Sequence, residues 1–173
     1  MPSPIIQSTA ASFDTRYFRH ALSQFATGVT VITTATGDGG FLGVTATSFN
    51  SVSLNPPLVL WSLGTATSSL PVFSASTHYV INVLASDQAM LATRFASKVQ
   101  DRFEGVEFDL SASGFPILRG AVGWFECANR SRYPEGDHVI FVGEVARCEF
   151  TAKAPLVFYA GAFVSTSAPL LST

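Results

Sequence analysis

Between Gly43 and Leu60 the chain reads Gly-Val-Thr-Ala-Thr-Ser-Phe-Asn-Ser-Val-Ser-Leu-Asn-Pro-Pro-Leu-Val-Leu, and this stretch leaves few folding options. Val44, Ala46 and Ser48 alternate with Thr45, Thr47 and Phe49, a period of two that specifies a strand rather than a helix. Asn55-Pro56-Pro57 then stiffens a turn, and Leu58-Val-Leu-Trp-Ser-Leu63 opens a second strand. The expectation is strand, hydroxyl-rich loop, strand. Thr45, Thr47, Ser48, Asn50, Ser51 and Ser53 crowd into its first half. Short hydroxyls and backbone N–H groups of this kind can hold a flat heteroaromatic edge, a polyol or a phosphate without carrying charge. A Ser/Thr-rich turn that binds nothing is the plain alternative.

The rest of the chain is punctuated in the same manner. Ser12 or Asp14 can cap a first helix whose apolar stripe, Phe18, Leu22 and Phe25, is expected to be buried, with Gly28 closing it. Residues 29–35 read as a strand and 36–40 as a glycine-rich hairpin turn. A second hydroxyl cluster, Gly64-Thr-Ala-Thr-Ser-Ser69, precedes a short helix that carries Pro71 in its first turn and Ser68 or Ser69 as cap. Such a helix start suits a phosphate, although most capped helices bind nothing. Residues 78–84 form a strand, and Ser86 is expected to cap a helix over 87–96 with Met90, Leu91 and Phe95 on its apolar face. The segment 97–120 reads as irregular and holds much of the chain's limited charge, from Lys98 to Arg119. Three further strands are expected over 121–128, 138–151 and 156–165. Seven strands with few helices and frequent turns imply a mainly β, closed antiparallel barrel. A single domain over 13–165, with tails at 1–12 and 166–173, is the simplest division.

Composition narrows the partners. Charged residues make up 13% of the 173, and hydrophobic ones 47%, against a usual charged share of about a quarter. So little surface charge implies that apolar area is covered by a second copy of the chain. The net charge of −2 provides no basic field for nucleic acid. No apolar run approaches the roughly 18–20 residues of a membrane span. The N-terminus lacks the basic and apolar regions of a signal peptide, so a cytoplasmic location is expected. Cys127 and Cys148 are expected as thiols filling the core, with a disulfide open only if their strands lie side by side.

Candidate chemistry is sparse. His20, His78 and His138 lack metal-ligand spacing, so no metal site is assigned. His20 is expected at or near the surface and His78 in a structural role. His138, following Gly136-Asp137, is placed to project into a cleft. Gly37, Gly39 and Gly43 do not make a dinucleotide fingerprint, because position 42 is leucine and they join two strands. No nucleophile elbow or phosphate loop is present. An enzyme with this inventory relies on a bound cofactor.

From residue 18 to 164 the chain resembles the flavin reductase family, the reductase partners of two-component flavin-dependent monooxygenases. The matching pieces are Phe25-Ala-Thr-Gly-Val-Thr-Val31, Thr47-Ser-Phe-Asn-Ser-Val-Ser-Leu-Asn-Pro-Pro-Leu-Val59, Ile81-Asn-Val-Leu84, Arg94-Phe-Ala96, Arg102-Phe103, Gly136-Asp-His138, Gly143-Glu-Val145 and Pro155-Leu-Val-Phe-Tyr159. The resemblance implies an FMN-binding split β-barrel with Greek-key-like order and a few flanking helices. It implies reduction of FMN or FAD by NADH, with NADPH as the alternative donor, in a homodimer that supplies reduced flavin to a partner oxygenase. By the same resemblance Thr27, Gly28 and Val29, with Thr47, Ser48, Phe49, Ser51, Val52 and Ser53, line the ring and ribityl chain. Thr65, Thr67 and Ser68 meet the phosphate, and Phe95, Ala96 and Arg102 close the site. His138 lies on the nicotinamide side as the catalytic and substrate-binding residue, with Tyr159 in the same pocket. Two departures stand out. Thr47 replaces a frequent asparagine, and the 64–69 loop lacks the lysine or arginine that some relatives carry there, which leaves hydroxyls, N–H groups and Arg102 for the phosphate. A flavin-binding split barrel without turnover is the alternative function. A barrel for another apolar ligand, a purely structural dimer and a pyridoxamine phosphate oxidase are more distant ones.

Overall fold

The β-branched runs become strands, and glycine or proline ends most of them. A computed structural model describes residues 14–166; Ser12 and the expected tails, but for Thr166, lie outside that range. After helix α1 (Thr15–Leu22) come β1 (Thr27–Gly28), β2 (Thr30–Ala35), β3 (Phe41–Ala46), β4 (Asn50–Leu54) and β5 (Pro57–Gly64). Helix α2 (Leu70–Ala75), β6 (His78–Val83) and α3 (Ala89–Ala96) follow, then the small hairpin β7 (Phe108–Leu110) and β8 (Pro116–Leu118). Two long strands, β9 (Gly123–Glu135) and β10 (His138–Phe150), precede β11 (Leu156–Tyr159) and β12 (Ala162–Ser165).

Seven strands form one sheet in the order β3-β2-β6-β9-β10-β5-β4, with every neighbouring pair antiparallel. Its two edges, β3 and β4, are consecutive in the chain. Ser48, in the crossing between them, bonds through Oγ to both the N–H and the carbonyl of Ser62 on β5 (2.8 and 3.2 Å). The sheet thereby curls back on itself as an antiparallel barrel. Trp61 fills the interior, stacked on Phe141 (4.7 Å, 14°) and edge-on to Phe73 and Tyr79. Val29, Val31, Leu84, Ala92, Phe95, Leu118 and Leu156 make a second core. Strand β2 serves both cores, Ile32 facing one and Val31 the other, which is why its burial is nearly continuous. A separate sheet joins β1, β11 and β12.

Several local expectations are corrected. Helix α1 is capped by Asp14, whose Oδ1 accepts from the Arg16 N–H (2.8 Å), but the helix buries no residue. Leu22 is 57% exposed and Phe25, beyond the helix end, 77%. Gly28 does not close the helix, because β1 draws the chain into pairing with β11. The expected hydroxyl loop is largely an edge strand, β4, with a bulge between Ser51 and Ser53. Helix α3 starts at Ala89 with Gln88, not Ser86, at its cap; Ala92 and Phe95 are buried while Met90 is exposed. The expected strand over 156–165 breaks into a hairpin at Ala160 and Gly161, which both take positive φ. The two cysteines sit on paired strands but in different registers, Cys127 opposite Val145 and Cys148 opposite Phe125. Both are free, and Cys148 is exposed rather than core filler.

Candidate active site

A cleft of about 730 Å3 opens between three pieces of chain: the start of β3 (41–43), the turn before α2 (66–69) and the end of α3 with the segment after it (96–102). Each wall has a local reason for its place. Thr45 Oγ donates to the Ala92 carbonyl (2.7 Å), which fixes α3 across β3. Gly43 lets the two approach: a Cβ there would overlap the Phe95 ring, so only glycine fits beneath α3. Phe95 in turn meets Phe103 edge-on (5.0 Å, 78°).

The segment 97–102 is tied from two sides. Arg94 donates from Nε to the Arg102 carbonyl (2.8 Å) and from Nη2 to the Asp101 carbonyl (3.1 Å). Arg102 donates from Nη1 to the Gly43 carbonyl (2.8 Å). The Asp101 carboxylate faces its own backbone and accepts from the N–H groups of Phe103 and Glu104 (2.9 and 3.2 Å). On the facing wall the Thr67 N–H donates to the Gly64 carbonyl (3.2 Å), and Thr67 Oγ accepts from the Ser69 N–H (3.3 Å).

His138 opens β10 opposite Gly64, and its Nδ1 lies 2.7 Å from Asp137 Oδ1. The hydrogen bond to His138, aided by the charges of His138 and Arg19, holds the Asp137 carboxyl below the usual carboxylate range. The Asp137 carbonyl accepts from both N–H and Oγ of Thr65 (2.9 and 3.1 Å), joining the histidine turn to the hydroxyl turn. The imidazole is half exposed. Burial pushes the Cys127 thiol up to about 12, so it stays protonated and is no nucleophile. Among the described residues no group of His, Cys, Asp or Glu could hold a metal ion.

A cleft lined by the hydroxyls of the turn before α2 and by Lys98 and Arg102 after α3, in an antiparallel barrel, has the chemistry for a polyol chain ending in phosphate. The flavin reductase like domain model matches residues 22–167. The chain belongs to the flavin reductase family. It is 43% identical over 150 residues to the FMN reductase (NADH) SmoA of Agrobacterium fabrum, covering 87% of this chain and 85% of that one. It is 38% identical over 155 residues to HsaB of Rhodococcus jostii, the reductase subunit of a flavin-dependent monooxygenase, covering 89% and 79%. Among solved structures, the NADH:FAD oxidoreductase SgcE6 of Streptomyces globisporus, in complex with NAD and FAD fragments, superposes with a TM-score of 0.86 at 35% identity, covering 91% of this chain and 95% of that one. The split-barrel architecture of flavin reductases is therefore the fold of this chain.

The predicted site residues of this flavin reductase fall into three groups. Thr67, Ser68, Ala96 and Arg102 line the cleft, Phe95 is buried beneath it, and Thr65 and His138 adjoin its hydroxyl turn. Thr47, Ser48, Phe49, Ser51, Val52 and Ser53 lie on the crossing from β3 into β4. Thr27 and Gly28 share the small sheet with Tyr159, whose Oη donates to Gln24 (3.3 Å). Three of these side chains are committed elsewhere. Ser48 Oγ serves β5, Phe49 packs on Phe125, and Val29 is fully buried, with its N–H and carbonyl bonded to Leu156 and Leu84. These three shape the barrel around the site. Reading the sequence found Thr67, Ser68, Ala96 and Arg102 but missed the other lining residues, among them Phe41, Leu42, Gly43, Ser69 and Lys98. The available signal was the charge carried on the long segment after α3.

Proposed function

We propose that this chain transfers hydride from NADH, with NADPH as the alternative donor, to FMN or FAD and delivers the reduced flavin to a partner flavin-dependent monooxygenase. The observation that carries this reading is the cleft itself: the uncharged hydroxyls of 67–69 and the cations Lys98 and Arg102 line one volume of about 730 Å3. That donor set fits a phosphorylated ribityl chain, and the size falls in the range of about 300–1,000 Å3 seen for small-molecule sites.

Bound flavin supplies the hydride acceptor; the protein supplies position. Thr27, Gly28 and the crossing 47–53 flank the ring. Thr65, Thr67, Ser68 and Arg102 hold the phosphate end, and Ala96 closes the cleft over it. His138, steadied by Asp137, orients the nicotinamide, with Tyr159 farther along the small sheet as a second contact. Alignment of donor and acceptor accounts for the rate, since no buried nucleophile or general base is required. A homodimer, expected from the low charge content, would cover the exposed face of α1 and β12. No helix among the described residues is long and apolar enough to cross a membrane.

The test is anaerobic stopped-flow absorbance of wild type and His138→Ala with FMN or FAD, mixed with NADH or NADPH. Wild type is expected to bleach the oxidised flavin band well above the protein-free rate. His138→Ala is expected to raise the half-saturating NADH concentration several-fold while flavin binding is unchanged. Tightly bound flavin that stays oxidised with both nucleotides would select a flavin-binding protein without turnover.

A further inference from the structure

We propose that Lys98 reads the flavin phosphate, so that the cleft selects FMN and FAD over riboflavin. The inference rests on the flavin reductase reading and deepens it. The hydroxyl turn before α2 contains no cation between Gly64 and Ser69, and α2 is too short, at six residues, to offer an aligned helix terminus. Any charge that balances a phosphate must come from elsewhere. The cleft lining contains two cations, Lys98 and Arg102, both on the segment that follows α3. They are not equivalent. Arg102 is half-buried and anchored through Nη1 to the Gly43 carbonyl, so its remaining N–H donors meet the phosphate from a fixed position.

Lys98 is exposed and, among the described residues, makes no hydrogen bond or ion pair. The one acid in the lining, Asp101, has its Oδ1 turned to backbone N–H groups. An unpaired ammonium on a flexible stem, carried by a segment that Arg94 clamps at both carbonyls, is suited to a mobile phosphate with several acceptor oxygens. With a net charge of −2 on the whole chain, this attraction is local to the cleft and not a property of the overall field.

Three flavins share one ring and differ in phosphate: riboflavin has none, FMN one, FAD a pyrophosphate. Calorimetric titration of each oxidised flavin into wild type, Lys98→Gln and Lys98→Arg separates charge from shape. Lys98→Gln is expected to weaken FMN and FAD about tenfold, the size of one charge-assisted hydrogen bond at a solvent-open site. Riboflavin affinity is expected to stay within about twofold, and Lys98→Arg to retain most of the FMN affinity. Raising salt should weaken FMN for wild type more steeply than for Lys98→Gln. An equal loss for riboflavin, or unchanged FMN and FAD affinity in Lys98→Gln, overturns the proposal. Wild type that binds none of the three flavins overturns the reductase reading with it, an outcome distinct from lost discrimination.

Discussion

Glu126 is a carboxylate kept charged in the interior, 2% exposed. Burial pushes its pKa up, but hydrogen bonds from Ser111 Oγ (2.5 Å) and the Ser113 N–H (3.1 Å), with the nearby Arg147 charge, outweigh this and hold it below the ordinary value. A depressed folded-state pKa contributes stability above the unfolded value, about 4.3, and that stability is lost as pH falls through the lower folded value. Glu126→Gln is expected to destabilise by about 1–3 kcal/mol at neutral pH. Thermal melts across pH 3–7 check it: the gap between wild type and variant should close at the acid end, and a constant gap would contradict the assignment. None of this was visible beforehand, since a glutamate inside Phe125-Glu-Cys127 reads as an exposed position on an alternating strand. The cover comes from the 111–115 turn, which belongs to no local pattern. Ser48 teaches the same lesson. Its hydroxyl is also a rung between β5 and the crossing, a bond to Ser62 that its residue type alone does not announce.

At the scale of elements, the cleft depends on how α3 and its trailing segment are fastened. Arg94 spans two carbonyls with one planar guanidinium, a geometry that lysine's point charge cannot copy. Removing such charged hydrogen bonds costs about 1.5–3 kcal/mol each when the acceptors stay buried, and less at this partly exposed site. Arg94→Ala is therefore expected to raise KM for FMN roughly five- to tenfold with kcat at saturating flavin little changed, because the segment can still be ordered by the ligand. Steady-state kinetics with flavin as the varied substrate checks it. A fall in kcat with KM unchanged would place Arg94 in the hydride-transfer geometry instead. Element type was legible where periodicity was strong: β2, β3, β5, β6 and β10 lie where alternation and turn residues put them. Strand β9, by contrast, runs on from the expected 121–128 to Glu135, held along its length by β10, and the segment 97–120 read as irregular contains the β7–β8 hairpin. Element ends were less legible. Helix α3 begins later than the Ser86 signal suggests because Gln88 Oε1 accepts from the Ala85 N–H (2.9 Å) and completes the preceding turn.

For the whole molecule, the question is what covers the apolar surface. Phe25 is 77% and Leu22 57% exposed, and Phe163 and Val164 on β12 are each 38% exposed. Association of two copies through α1 and the small sheet would remove this surface from water. Light scattering during size-exclusion chromatography is expected to give twice the 18.4 kDa chain mass at micromolar concentration. Phe25→Glu with Val164→Glu should move the mass toward that of one chain. Wild type eluting at one chain mass throughout would rule the dimer out.

By itself the sequence determined the strand-rich class, the turns and the two hydroxyl clusters, because alternation, β-branching and the backbone limits of glycine and proline act between near neighbours. The tertiary structure alone decided which residues share the cleft. Lys98 stands far along the chain from Thr67, and no local rule relates them. That both line one cleft follows from α3 lying across β3 through Thr45 and Ala92, and from the absence of a Cβ at Gly43 beneath Phe95. The stripe on α1 shows the same division. Its period announces an apolar face, but what that face rests on depends on the packing of distant parts, and Leu22 and Phe25 stay exposed in the described structure.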